Sequence, residues 1–550
     1  MRVLLCWAFL LFRLAGLAGD PGAALHLNFE VAIRKGLAVE PKDGRLFIII
    51  TRTNSPEPRF TLSKTGRDAP VVIARDISGF SSVTNVVLDQ NDLWLPNNSS
   101  GHDPSHSTFL SRRLAAPKSD EGGSQTKADH VLVAPKSDKG GSRFTYTIQA
   151  SFDSSQDLRS PNAPGNLFSQ SQPLRFDPER GGTVKLELSQ QVPPDQLPPE
   201  TSELKFVRLQ SKLLSRFYGR PVFLRAGVIL PRDYERELSR RYPLWVRIGG
   251  LNGRYTTVSK LMAKDSDFRK TWLAKETPRL ILVQLDGAGP YGDPYQINSA
   301  NSGPYGDAII QELIPHIEAR FRALGSSGAR VLSGTSTGGW VALALQVFYP
   351  DFFNGAWSSC PDPVDFRALE LVNIYQDENF YVNRNGYERP SARDSKGDVT
   401  LTVRDEVGME KRLGRGSSFL LSGEQWGEWN AAFGPRGADG LPVPLWDAES
   451  GEINRAVAEQ WKKYDLRLVL ENNWKTLGPK LRGKIHIASG EADQYFLNNA
   501  VHLLDQFLAK ADPPFEGKIT YGPGKTHGWT NLSLREMLDQ MKSATEQNSR

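Results

Sequence analysis

The chain has 550 residues, of which 39% are hydrophobic and 23% charged, with 49 Gly and 36 Pro. These values are ordinary for a folded protein and exclude collagen-like fibres and wholly disordered chains. Lys and Arg outnumber Asp and Glu by 67 to 62, which gives a net charge of +5. Because the sequence contains no long run of basic residues, we predict no nucleic-acid partner. At ~150 residues per domain, the length allows three or four domains.

Residues 1–24 have the organisation of a secretory signal peptide: a short basic start, an apolar stretch over 3–17, and small residues suited to cleavage. The stretch contains Arg13 and is shorter than the ~20 apolar residues of a spanning helix, so a membrane anchor is the less favoured alternative. We therefore predict a secreted or periplasmic protein with no membrane span after signal removal. Cys360 would then be its single cysteine, which excludes an internal disulfide.

Residues 25–200 contain short alternating runs that predict β-strands. Residues 97–143 interrupt them with a polar segment in which a nine-residue phrase occurs twice, at 116–124 and 134–142. Two copies are too few for a stacked repeat fold, which needs at least ~3. We predict an all-β, sandwich-like accessory domain with a flexible inserted loop, a peptide-docking segment being the alternative for that loop. The predicted strands cover 25–31, 45–51, 71–74, 144–150 and 182–188.

After a Pro-rich linker at 192–199, residues 201–545 alternate short apolar runs with helical patterns, most clearly over 307–324. This alternation predicts an α/β domain with a mostly parallel central sheet. Ligands of such sheets bind at the carboxyl ends of the strands. The predicted strands cover 242–248, 279–285, 329–332, 355–358, 484–488 and 518–521.

Ser336 is the candidate nucleophile. It is the centre of a Gly-x-Ser-x-Gly pattern, Gly334–Gly338, between a predicted strand and an apolar helical run over 340–348. The pattern alone is weak, but a serine on a sharp strand-to-helix turn needs neighbours without a Cβ atom. The helix amino end would also favour the anion formed on attack at an acyl carbonyl. The alternative is a Gly-rich helix entry without chemistry.

His527 and a carboxylate would complete a catalytic triad. His527 lies in a Gly-rich loop after the last predicted strand, where an imidazole can reach the strand ends and act as a base. Glu491 and Asp493 both follow the strand that ends near residue 488, and both qualify as the acid. The chain order Ser, Asp, His of α/β-hydrolases favours Asp493.

The oxyanion hole would combine the backbone N–H groups of Leu251 and Thr337. Gly249 and Gly250 would permit close approach of substrate, although an ordinary Gly-rich turn is the alternative. No phosphate-binding, dinucleotide-binding or zinc motif occurs in the sequence, so we predict no cofactor and no metal.

Residues 201–545 resemble the putative esterase family, the esterase D group of α/β-hydrolases that includes enterochelin esterases, feruloyl esterases and mycolyl transferases. The resemblance implies an α/β-hydrolase fold and places the family's nucleophile, acid and base on Ser336, Asp493 and His527. We also assign Tyr305 and Trp529 to substrate binding, together with the two glycines of the oxyanion turn. The matching motifs are 249–253, 303–307, 312–315, 334–338, Asp493 and 527–529.

One departure is that the family's usual His-Gly before the oxyanion loop is Gly249-Gly250 here. A second is a long insertion at 368–474, rich in Trp, which we interpret as a cap that shapes specificity, a lid without a substrate role being the alternative. The predicted function is a secreted serine carboxylesterase that acts on a small-molecule or acylated-saccharide ester through an acyl-enzyme. An acyl transferase or peptidase with the same triad, and a non-catalytic binding protein on this fold, are the alternatives.

Overall fold

The computed structural model describes residues 27–37, 40–65, 69–89, 92–94, 146–174, 182–194 and 196–547. The predicted signal peptide and the polar repeat segment at 97–143 lie outside these residues. The chain divides into two compact units. Among the described residues, the first unit draws on the ranges 27–59, 71–151 and 168–190, and the second on 60–70, 152–167 and 191–547.

The first unit is all-β, which confirms the prediction of a β-rich region. Its described strands form one hydrogen-bonded sheet in the order β4-β1-β9-β7-β6-β2-β3-β5, with β8 beside β6. In β1 every second residue is buried, from Leu27 to Ile33, as expected for a strand with one face on a core. The strands are β1 Leu27–Ile33, β2 Lys42–Thr51, β3 Val71–Phe80, β4 Asn85–Leu88, β5 Leu93–Trp94, β6 Tyr146–Asp153, β7 Leu167–Ser169, β8 Gln172–Leu174 and β9 Gly182–Gln191.

The second unit is built on an eight-stranded sheet in the order β10-β11-β13-β12-β16-β17-β20-β21. The pairs β10–β11 and β11–β13 are antiparallel, and all pairs from β13 to β21 are parallel, so the predicted mostly parallel α/β sheet is confirmed. The strands, with two short hairpins β14–β15 and β18–β19, are β10 Leu204–Gln210, β11 Phe223–Ile229, β12 Leu244–Ile248, β13 Ile281–Leu285, β14 Asn298–Ser299, β15 Gly303–Pro304, β16 Arg330–Thr335, β17 Ala356–Ser359, β18 Pro390–Arg393, β19 Val399–Thr402, β20 Ile485–Gly490 and β21 Lys518–Gly522.

The helices of the second unit cover both faces of this sheet. Because successive strand residues point to opposite faces, Leu244 and Val246 of β12 join one hydrophobic cluster and Trp245 joins another. The α-helices are α1 Lys212–Tyr218, α2 Val258–Leu261, α3 Asp267–Leu273, α4 Tyr305–Ala308, α5 Ile314–Arg320, α6 Thr337–Phe348, α7 Val403–Leu413, α8 Gln425–Phe433, α9 Arg455–Trp461, α10 Leu466–Lys480, α11 Asn498–Leu508 and α12 Leu534–Gln547.

The helix predicted over 307–324 is observed over 305–320, where α4 and α5 are joined by a π-turn at Ile309–Leu313. Pro315 lies just after the π-turn, and because proline has no N–H to donate, the regular α-helical hydrogen-bond pattern is interrupted there. No helix in the described part of the chain is long and apolar enough to cross a lipid bilayer.

The 368–474 insertion packs into the core of the second unit. Trp426, Trp429 and Trp446 are at most 1% exposed and belong to the same hydrophobic cluster as Trp340 of α6. The Trp446 ring stacks on Phe380 with centroids 3.8 Å apart. These aromatic side chains are therefore buried inside the unit and are not exposed on a separate lid.

Candidate active site

Ser336 occupies a strained turn between β16 and α6. Its backbone angles are φ 59° and ψ −128°, a region that non-glycine residues rarely adopt unless the surrounding structure enforces it. A Cβ atom on Gly334 would lie 2.0 Å from the Gly338 carbonyl oxygen, and one on Gly338 would lie 2.3 Å from the Gly249 oxygen. Both flanking positions therefore require glycine, as the predicted nucleophile turn does.

We expect Gly338→Ala to destabilise the protein and reduce its activity, because the new methyl group would collide with backbone that cannot move as a side chain does. Overpacking of this kind costs about 1–3 kcal/mol or more. Gly408→Ala in α7 is the matched control, since its Cβ would meet nothing within 4 Å. That variant should be stabilised by about 0.5–1 kcal/mol. Thermal denaturation measures both, and equal melting temperatures for the two variants would contradict the packing argument.

His527 and Asp493 form a hydrogen-bonded pair at the carboxyl end of the sheet. Asp493 follows β20 and is fully buried, and its Oδ2 lies 2.8 Å from His527 Nδ1. The Asp493 Oδ1 accepts a hydrogen bond from the Tyr495 N–H at 2.9 Å. The backbone N–H of His527 donates to Gln494 Oε1 at 2.6 Å. These contacts fix the orientation of the imidazole and leave Nε2 as the nitrogen that can serve as a base.

The surroundings of His527 raise the pKa of its imidazole above the ordinary value. Burial alone would lower this pKa, but the hydrogen bond and negative charge of Asp493, with a smaller contribution from the charge of Asp362, outweigh it. An imidazole in this setting is stabilised in its protonated form, which is the form a base reaches after taking a proton.

Glu491, the other predicted candidate for the acid, points elsewhere. Its Oε1 lies 3.3 Å from His502 Nε2, and both side chains are more than one third exposed. The structure thus places Asp493, and not Glu491, against His527.

Asp362 is a residue at the site that was not predicted from the sequence. It is 2% exposed, and the Ser336 hydroxyl donates to its Oδ1 at 3.3 Å, while the Thr337 hydroxyl donates to its Oδ2 at 3.0 Å. Burial raises the pKa of this carboxyl. Asp362 follows β17, the neighbour of β16 in the sheet, so its position beyond a strand end was a signal that could have revealed it.

The 368–474 insertion reaches this carboxyl through Tyr295. The Tyr295 hydroxyl donates to Asp362 Oδ2 at 2.5 Å and accepts a hydrogen bond from Gln425 Nε2 at 2.7 Å. The indole N–H of Trp429 donates to the same hydroxyl. Both donors belong to α8, so a hydrogen-bond chain connects the insertion with the nucleophile turn.

The predicted oxyanion turn lies against the nucleophile. A Cβ atom on Gly250 would be 3.4 Å from the Thr335 oxygen and 3.6 Å from the Ser336 Cβ. The Gly253 N–H donates to the Gly250 oxygen at 2.8 Å, which closes a tight turn with Leu251 at its tip, 38% exposed. Gly249 packs behind this turn, where its Cβ would be 2.8 Å from the Gly253 Cα.

Thr337 is the first residue of α6, so its backbone N–H is one of the helix-start donors that lack a partner within the helix. This N–H and that of Leu251 lie on the two segments that meet at Ser336, as an oxyanion hole requires.

The two remaining predicted residues occupy different surroundings. The Trp529 indole packs on Gly522 in the loop that carries His527. Tyr305 is 6% exposed, and its hydroxyl lies near Gly289. No hydrogen bond among the described residues joins Tyr305 to the Ser336–His527 region.

Cys360 lies beside the acid–base pair, and its Sγ and the donor atoms of Asp493 and His527 lie within 4.8 Å of one another. Burial raises the pKa of the Cys360 thiol, and the thiol contacts the Trp529 oxygen at 3.5 Å. A metal ion would bind the deprotonated thiolate of Cys360, which the raised pKa disfavours. Asp493 and His527 are already hydrogen-bonded to each other. The arrangement therefore fits an acid–base pair better than a metal centre.

Comparison with solved structures finds several hydrolases. An S-formylglutathione hydrolase from Agrobacterium tumefaciens is 14% identical, with a TM-score of 0.35 over 62% of this chain and 94% of its own. The fluorophosphonate-binding serine hydrolase F of Staphylococcus aureus is 12% identical, with a TM-score of 0.31 over 63% and 98%. A ferulic acid esterase from Anaeromyces mucronatus is 15% identical, with a TM-score of 0.28 over 64% and 93%. Likeness of this size supports no assignment of substrate.

No curated protein matches the chain. The model of the family described as "Putative esterase" matches residues 224–531, which is more than half of the 550 residues and contains Ser336, Asp493 and His527. The chain therefore belongs to this esterase family and is a carboxylic ester hydrolase.

Proposed function

We propose that this esterase cleaves its substrate through a covalent acyl-enzyme on Ser336, with His527 as the general base and Asp493 as the acid that orients it. The observation that carries the proposal is the strained Ser336 turn at the same sheet edge as the buried 2.8 Å contact between His527 and Asp493. A strained nucleophile with an oriented base is the arrangement that acyl transfer through serine needs.

In the first half-reaction the Ser336 hydroxyl turns from Asp362 towards His527 Nε2. Its oxygen attacks the ester carbonyl while its proton passes to the imidazole, and the Leu251 and Thr337 N–H groups stabilise the resulting oxyanion. The imidazolium then protonates the departing alkoxide, which leaves as an alcohol. Asp493 keeps the imidazole in the tautomer that these steps require.

In the second half-reaction water attacks the acyl-enzyme. His527 removes a proton from that water and returns it to the Ser336 oxygen, and the acyl group leaves as a carboxylic acid. Gly249, Gly250 and Trp529 are proposed to contact the substrate at this edge of the sheet. The substrate-binding role of Tyr305 stays a prediction, and its side chain is 6% exposed with its hydroxyl near Gly289.

The substrate is proposed to be an ester of a small molecule or an acylated saccharide, and the insertion is proposed to shape specificity through α8. Export from the cell remains a prediction from residues 1–24.

A fluorophosphonate probe tests the proposal directly. The probe reacts with an activated serine, so we expect wild-type protein to be labelled in proportion to its loss of activity on p-nitrophenyl acetate. Mass spectrometry of the digested protein should place the label on the peptide that contains Ser336. A label on any other residue would refute the assignment, and an absence of both labelling and turnover would favour the non-catalytic alternative.

The pH dependence of kcat/KM gives a further prediction. His527 acts as a base only when neutral, and its pKa is raised, so activity should fall as pH drops through a value above the ordinary ~6.5 of histidine. In Asp362→Asn the carboxylate charge that helps to raise this pKa is absent. The acidic limb of that variant should therefore move to lower pH. An unchanged limb would show that Asp362 does not act on His527 electrostatically.

A further inference from the structure

A cavity of about 300 Å³ lies between the central sheet and the α12 region, on the sheet face that carries Trp245 and Trp357. Its lining includes Gly250 of the predicted oxyanion turn and Gly334 and Thr335 of β16, the strand before Ser336. The side chains proposed to react lie outside its lining. The cavity is therefore separate from the proposed triad, and its size falls at the lower end of the range for small-molecule sites.

The floor of the cavity is a polar row that the strand register dictates. Arg247 on β12 pairs with Ser333 on β16, which pairs with Trp357 on β17. Trp357 pairs with His486 on β20, and His486 pairs with Lys518 on β21. Residues that pair directly across a sheet point to the same face, so all five side chains stand side by side.

The row carries positive charge at both ends and no negative charge. Arg247 and the exposed Lys518 line the cavity, and none of its lining residues is Asp or Glu. Burial lowers the pKa of His486 to about 4, so this ring is neutral at pH 7. A carboxylate entering the cavity would displace no existing anion, whichever of the two cations it approached.

Arg247 has no acidic partner in the described part of the chain. Its Nη1 donates to Gln284 Oε1, a neutral acceptor, and burial lowers its pKa without a nearby carboxyl to offset the effect. Arg330 on β16, by contrast, bonds both oxygens of Glu318 at 2.7 and 2.9 Å. A partly buried guanidinium without a counter-ion is costly unless a ligand supplies one.

The row and the rest of the lining also offer flat, apolar surface. Trp357 stacks on His486 with centroids 4.6 Å apart and an angle of 17°, and its indole N–H is held by Gln540 of α12. Trp245 is held by Ser333 through a 2.7 Å hydrogen bond. Further apolar lining comes from Phe268, Leu534 and Met537.

We propose that this cavity binds a small carboxylate with an aromatic or otherwise flat apolar body, its carboxylate held by the guanidinium of Arg247. Arginine presents a planar fork that matches a carboxylate with two parallel hydrogen bonds. The site is independent of the proposed chemistry at Ser336, so binding should persist in Ser336→Ala.

Benzoate is the probe, and benzamide is its neutral analogue of the same shape. Isothermal titration of the full chain, as wild type and as Ser336→Ala, should show benzoate binding in both and much weaker benzamide binding. Benzoate, but not benzamide, should also raise the melting temperature of the wild-type protein, because a ligand that binds the folded state stabilises it. Equal binding of the two compounds, or no benzoate binding at millimolar concentration, would overturn the proposal.

Arg247→Met tests whether the Arg247 guanidinium holds the carboxylate. Losing charge-assisted hydrogen bonds should weaken benzoate binding about 10- to 100-fold. Without ligand this variant should melt at or above the wild-type temperature, because it removes a cation that has no acidic partner. Arg330→Met is the matched control, which should melt lower and still bind benzoate. Unchanged benzoate affinity in Arg247→Met would overturn the proposal. If Arg247→Met does not fold, the comparison of benzoate with benzamide on wild-type protein still tests the proposal.

Discussion

Replacing Ser336 with alanine should lower kcat on p-nitrophenyl acetate about a million-fold and abolish fluorophosphonate labelling. The proposed acyl-enzyme cannot form without the Ser336 oxygen, and loss of a serine nucleophile in a comparable triad costs about this much. The fold should survive, because the strain at φ 59° lies in the backbone and alanine adds no atom. Initial rates and circular dichroism of the purified variant measure both expectations.

Ser358→Ala is the matched control for that experiment. Ser358 is the third of the four residues of the neighbouring strand β17 and is 2% exposed, and its hydroxyl has no hydrogen-bond partner within the residues that the structure describes. This variant should keep near wild-type activity and labelling. If Ser336→Ala instead kept wild-type turnover, the nucleophile would have to be sought elsewhere in the chain.

Asp493→Asn should lower kcat about 10⁴-fold with little change in the fold. In a serine triad the change from aspartate to asparagine favours the wrong tautomer of the histidine, and its effect on kcat is of this order. Here the substitution replaces one oxygen of the carboxylate that lies 2.8 Å from His527 Nδ1 with an NH2 group. Stopped-flow or steady-state kinetics on a nitrophenyl ester would measure the loss.

Glu491→Gln is the control for this prediction. Glu491 belongs to the same loop and the same chemical class, but its contact is with His502. The variant should therefore keep near wild-type kcat. A large loss in Glu491→Gln with a small loss in Asp493→Asn would reverse the assignment of the acid.

The architecture of the second unit could be predicted because short apolar runs and helical periodicity are local signals. The strands predicted at 242–248, 279–285 and 484–488 correspond to β12, β13 and β20. Because ligands of parallel sheets bind at the carboxyl ends of the strands, the loops after these strands could be predicted to contain the candidate residues. The sequence favoured Asp493 over Glu491 by chain order alone, and the coordinates add that Asp493 contacts His527 whereas Glu491 contacts His502.

The contacts around Asp362 could not be predicted in the same way. Tyr295 lies in an irregular segment with φ 56°, and its partners Gln425 and Trp429 are about 130 residues further along the chain. Such pairings leave no periodic pattern in the sequence. The insertion's tryptophans were visible as a composition bias, but their burial against α6 depends on these long-range contacts.

That burial limits how the insertion can be changed without loss of the fold. Trp426, Trp429 and Trp446 share one hydrophobic cluster with Trp340 behind the nucleophile turn, so the 368–474 segment is not a detachable module. Exchanging it wholesale for a relative's segment would remove part of the support of α6 and of Tyr295. Single substitutions outside this cluster should therefore disturb α6 less than recombination of whole segments.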